Sequence, residues 1–66
     1  MERQTHHAVI IEGRRTAVPF TFYNPAYALA KRATRDGNAA KVVEVYEHQG
    51  KHFDIHGAEV LLRQAV

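Results

Sequence analysis

Five of the 66 residues are histidine, and they are the first side chains whose chemistry asks for a partner. His52, Asp54 and His56 alternate along a stretch that reads as a strand, so their side chains share one face. A strand rises about 3.3 Å per residue, which sets the Cα atoms of His52 and His56 ~13 Å apart. Two imidazoles at that separation do not close on one zinc ion at about 2.0–2.1 Å unless His48 joins them across a hairpin. His6-His7, near the start, is weaker still. Surface histidines are therefore expected, with no metal and no cofactor.

Catalytic constellations are equally thin. The chain has no cysteine and no serine, and no histidine sits in a nucleophile–base pattern. Glu44, Glu47, Asp54 and Glu59 are scattered where solvated carboxylates belong. Gly13, Gly37, Gly50 and Gly57 stand alone and build no phosphate-cradling loop. A domain this small also leaves little room for the few-hundred-Å³ pocket of a ligand site. The expectation is a protein that is not an enzyme and has no catalytic residues.

The best signal is a basic-aromatic line. Tyr27, Lys31 and Arg35 recur at i, i+4 and i+8, which places them on one side of a helix. Arg32 lies around the curve, and Arg14-Arg15 sit at a hairpin tip. Cations on a rigid helix can bridge successive phosphates, while Tyr23 or Tyr27 can stack a base. The blander reading is a solvated helix face whose cations complement the negative end of the helix dipole. Arg14, Arg15, Tyr27, Lys31, Arg32 and Arg35 are thus the candidate nucleic-acid-binding set. Net charge is +2 overall, but unevenly divided. Residues 1–35 hold six cations against two carboxylates, or +4, and residues 36–66 hold three against five, or −2.

A second function class competes with this one. A small α+β module can offer a sheet edge to a protein partner, or the face expected to carry Ala17, Thr21, Tyr23, Tyr46 and His52. Such a module would be an inhibitor or adaptor of a larger assembly, or an obligate homodimer.

These side chains must be positioned by a helix and two hairpins. Asn24 reads as the helix N-cap, with Pro25 at the first helical position and Gly37 as a left-handed C-cap. Ala26, Leu29, Ala30 and Ala33 form a narrow apolar stripe that lets the helix lie close to whatever it covers. His7–Glu12 is β-branched and apolar on both parities, as a central strand would be. Thr16–Tyr23 alternates, but Pro19 cannot donate to a ladder and sends this strand to an edge. Ala39–Glu47 and His52–His56 form a second hairpin, turned by His48-Gln49-Gly50-Lys51 with Gly50 free to take a positive φ. Ala58, Leu61, Leu62 and Ala65 recur at helical spacing, so Ala58–Val66 is expected to be a short C-terminal helix.

The fold expected is therefore α+β, in the order β-β-α-β-β-α. It has an antiparallel four-stranded sheet of order 2-1-3-4, with the central helix packed on one face. The expected core is Val9, Ile11, Val18, Phe20, Phe22, Leu29, Val43, Val45, Phe53, Ile55, Leu61 and Leu62. Residues 1–66 make one domain, with 1–5 expected to be disordered. If one sheet face stays uncovered, self-association through it is favoured. No apolar run approaches the ~18 residues of a membrane span, and the first residues lack a signal-peptide core. A cytoplasmic protein without a membrane partner is the expectation.

Overall fold

Pro19 lies in an edge strand, as its missing N–H demands. The computed structural model describes residues 5–63. The chain runs β1 (His7–Ile11), β2 (Val18–Phe20), α1 (Tyr23–Arg35), β3 (Ala40–His48) and β4 (Lys51–Asp54). The four strands form one sheet in the order β2-β1-β3-β4, and every neighbouring pair is antiparallel. Strands β1 and β3, apolar on both parities, take the two interior places. Among the described residues no helix is long and apolar enough to cross a membrane.

Register assigns the faces. His7, Val9 and Ile11 stand opposite Glu44, Val42 and Ala40, and this set faces the helix. Val9 and Ile11 are buried there against Ala26, Ala30 and Ala33, with Leu29 and Val42 packed around them. The alanine stripe is the buried side of the helix, packed directly on the sheet.

Helix α1 ends as expected and begins differently. Gly37 takes φ +93° just past the C-cap Asp36. The N–H of Gly37 donates to the Thr34 carbonyl at 3.0 Å and that of Asn38 to the Ala33 carbonyl at 2.9 Å, which is the Schellman pattern. At the other end the cap residue is Phe22, without a side-chain cap hydrogen bond, and Asn24 lies inside the helix. The expected Asn24 cap is therefore wrong by two positions. A side-chain cap contributes about 1 kcal/mol. Winding Tyr23 into the helix instead stacks it on Tyr27 and sets it edge-on to His7, contacts worth a comparable ~0.5–1.5 kcal/mol each. Pro25 is unharmed, because no N–H in the first turn has an intrahelical acceptor.

Among the described residues the expected C-terminal helix does not form. Residues 58–63 are extended, and 64–66 lie outside the described residues. This segment is a strap across the second face of the sheet. It bridges Glu59 to Phe53 on one side and Leu62 to Ala17 on the other. Val60 N–H donates to the His52 carbonyl at 2.8 Å, Ala17 N–H to the Leu61 carbonyl at 2.7 Å, and Arg63 N–H to the Ala17 carbonyl at 2.8 Å. A helix of nine residues is marginal on its own. The extended form instead pairs two sheet edges that would otherwise be open. Val60 seals a second core with Ala8, Ala17 and Val45.

The core is accordingly smaller in its side chains than expected. Phe22 and Ile55 are each 70% exposed and Leu61 is 59% exposed. Alanines and Val60 occupy the interior in their place. Of the residues expected to be disordered, 1–4 lie outside the described residues, and Thr5 is half-buried.

Candidate functional site

The ladder between β1 and β3 decides which main-chain groups of β3 remain open. Val45 N–H donates to the His6 carbonyl at 3.0 Å and Glu12 N–H to the Ala39 carbonyl at 2.8 Å. In an antiparallel pair such bonds alternate along each strand. The odd residues of β3 therefore bond β1, and Ala40 and Val42 turn their N–H and C=O groups the other way. Strand β4 would cover that side, but its pairing with β3 stops at Val45↔Asp54. Beyond that point the outward edge of β3 has no strand beside it among the described residues.

A groove of about 610 Å³ follows this open edge. One wall is α1, through Tyr23, Tyr27, Lys31, Thr34 and Arg35, and the other is Ala40, Lys41 and Val42 of β3. The Tyr23 and Tyr27 rings stack with centroids 5.8 Å apart and planes 20° from parallel, and both residues are about half exposed. A second cavity of about 400 Å³ shares Tyr23, Lys41 and Val42 and adds His7, Glu44, Ile55 and His56. Short as the chain is, it leaves room for open clefts of ligand size. A helix seated on three strands leaves an open ledge beside the third.

The structure brings Tyr27, Lys31 and Arg35 together on one groove wall. It adds Tyr23 and Lys41, which sequence reasoning left out of the candidate set. Arg32 is exposed on α1, outside the groove lining, a turn of ~100° from Lys31. Arg14 and Arg15 are exposed in the β1–β2 loop. Because Glu12 bonds Ala39, that loop sits beside the α1–β3 connection, at the same end of the sheet as Arg35.

The other expected surface does not form. Ala17 is buried beneath the strap. Tyr46 pairs with Phe53 and Glu47 with His52, so Tyr46 and His52 lie on opposite faces. Nor do His52, Asp54 and His56 line up, because β4 ends at Asp54. Asp54 Oδ1 accepts the N–H of His56 at 2.8 Å and of Ala58 at 3.0 Å. These bonds, that from Ala58 foremost, hold its carboxyl below the usual value against the opposing effect of desolvation. Asp54 thereby anchors the turn that starts the strap. Among the described residues no three His, Asp or Glu side chains are grouped to hold a metal ion.

Compared with known proteins, the chain matches no family model, no curated protein and no solved structure.

Proposed function

We propose that this protein is a small, non-enzymatic binding module for nucleic acid, acting in the cytoplasm. The observation that carries the reading is one groove wall on which the stacked Tyr23 and Tyr27 continue into Lys31 and Arg35. Cations on a helix meet phosphates, and the outward face of the stacked, half-exposed pair offers an apolar surface to a base. Arg14, Arg15 and Arg32, near the Arg35 end, extend the positive field past the groove and favour encounter.

Fluorescence anisotropy with a labelled oligonucleotide, repeated across salt concentrations, tests this. Two or three neutralised phosphates give a slope of about −1.4 to −2 in log K against log salt for a single strand. Lys31→Gln with Arg35→Gln should weaken binding and flatten that slope. Binding that is absent at low salt, or indifferent to both substitutions, ends the proposal.

A second reading, a protein-interaction module or homodimer, has one observation in its favour. Tyr46 and Ile55 are 51% and 70% exposed, and neither is covered by helix or strap. The sheet face opposite the helix is covered by the strap, so such a contact would use this patch. Sedimentation at several concentrations separates a homodimer from a monomer.

A further inference from the structure

Resting on that nucleic-acid reading, we infer that the groove takes a single unpaired strand. Its bases stack on the Tyr23–Tyr27 platform, and their edges are hydrogen-bonded by the open main chain of Ala40 and Val42.

Three features of the groove select against a duplex. The first is shape. Tyr27, Lys31 and Arg35 line the wall of a concave groove between α1 and β3, whereas a helix that reads a duplex must protrude into the major groove. The second is the platform. Base faces inside a duplex are covered by their neighbours, and exposing one costs a few kcal/mol, while an unpaired strand presents them freely. The third is the opposite wall. The N–H and C=O of Val42 point outward from the β1–β3 ladder and find no partner among the described residues. Every base edge carries donors and acceptors that such a pair can meet once the edge is released from its complement.

Charge divides the labour along the groove. Lys31 and Arg35 stand at one end of the helix wall, and Tyr23 stands at the other. Past Tyr23 the adjoining cavity sets Glu44 and Asp54 beside Lys41, His7 and His56, so that end is less cationic than the Lys31–Arg35 end and suits an uncharged base. Phosphates therefore belong toward Arg35, and bases toward Tyr23.

An extended acidic peptide is the competing occupant, because it too can pair with an open strand edge beside a cationic wall. The aromatic platform favours the nucleic acid, since a peptide strand has no need of stacked rings.

The test compares a labelled ten-nucleotide single strand of mixed sequence, as DNA and as RNA, with its duplex and with an octaglutamate peptide, using the full chain. The single strand, in either sugar, should bind at least tenfold tighter than the duplex. Tyr27→Leu should weaken single-strand binding about tenfold, consistent with ~1–3 kcal/mol per stacked base, and Tyr27→Phe should retain it. Both variants are checked for native amide spectra first, and Tyr27 is exposed enough for them to fold. Hydrogen exchange at the Val42 amide should slow with the single strand alone. Duplex binding as tight, with Tyr27→Leu inert, would overturn the single-strand inference and leave the nucleic-acid reading standing. Octaglutamate that protects Val42 while both nucleic acids fail to bind would overturn both, as would no binding by any of the probes.

Discussion

On one face of the sheet α1 sets three buried alanines against Val9 and Ile11; on the other, an extended strap drops Val60 onto Ala8, Ala17 and Val45. The helix satisfies its own main chain, so its outward side is free to carry Tyr27, Lys31 and Arg35. The strap borrows its hydrogen-bond partners from Ala17, His52 and Asp54, and its main chain is spent on holding the sheet closed. A cover with internal bonding can carry a site, whereas a cover that must be tied down serves the fold. The candidate groove accordingly opens on the helix side.

The largest effect is expected where the helix is most deeply buried. Ala26 is fully buried, and Ala26→Leu forces new volume between α1 and the sheet, at about 3 kcal/mol for overpacking of this severity. For a domain this size that corresponds to a fall in Tm on the order of 15 °C. Thermal unfolding followed by circular dichroism measures it. A loss below about 1 kcal/mol would mean that the helix contact is loose, and the contrast between the two covers would fail.

The strap should cost less to loosen and should loosen alone. Val60→Ala removes two methyl groups from a buried site, an effect of about 2 kcal/mol with the residual cavity included. Hydrogen exchange should accelerate at the Ala17 and Val60 amides before it does at β1 residues such as Val9. Equal acceleration at all of them would show that strap and sheet open as one unit, and the two faces would then not be separable.

That difference between the covers also explains which parts were legible in the sequence. Helix α1 was readable because its bonds run four residues and its end is set by Gly37 in the left-handed region. Strand order was readable because Pro19 excludes β2 from the middle and the apolar parities of β1 and β3 ask for it. The strap was not. Ala58, Leu61 and Leu62 carry helical spacing, and the bonds that override it reach back to Ala17, beyond any local pattern. Val60, off that stripe, is the residue that becomes buried. Tyr27, Lys31 and Arg35 were visible as a line on one helix, but the opposite wall was hidden. Which main-chain groups of Val42 stay open depends on where β4 stops.

Acidity acts on the strap more selectively. The native carboxyl of Asp54 titrates below its ordinary value, chiefly through the Ala58 N–H. A group depressed on folding stabilises the fold above its unfolded value, near 3.9, and loses that contribution as pH falls through the lower native value. The strap turn should therefore hold unchanged above about pH 4 and weaken below it, read locally from the His56 and Ala58 amide shifts. Asp54→Asn keeps an acceptor oxygen but cannot titrate, so those two amides should lose their pH dependence in that window. If they keep it, another carboxylate governs the turn.

The smallest effect is expected where neither face is favoured. The β3–β4 turn has positive φ at both central residues, +53° at Gln49 and +80° at Gly50, the type I′ geometry that suits the twist of a hairpin. An ordinary L-residue in that region costs about 1–2 kcal/mol, which asparagine partly avoids by local hydrogen bonding. Gln49→Asn should stabilise the domain by about 0.5 kcal/mol and raise Tm by roughly 2–4 °C. The Gly50 N–H that donates to Glu47 Oε2 at 2.8 Å is left in place. This turn fixes the register of β4 on β3, which sets Phe53 opposite Tyr46 on the helix side and Asp54 opposite Val45 on the strap side. A firmer turn should therefore slow exchange equally at Val9, beneath the helix, and at Val60, in the strap. A gain confined to one of the two amides would mean that the hairpin is coupled to that cover alone, and that the faces are less independent of the turn than their separate cores indicate.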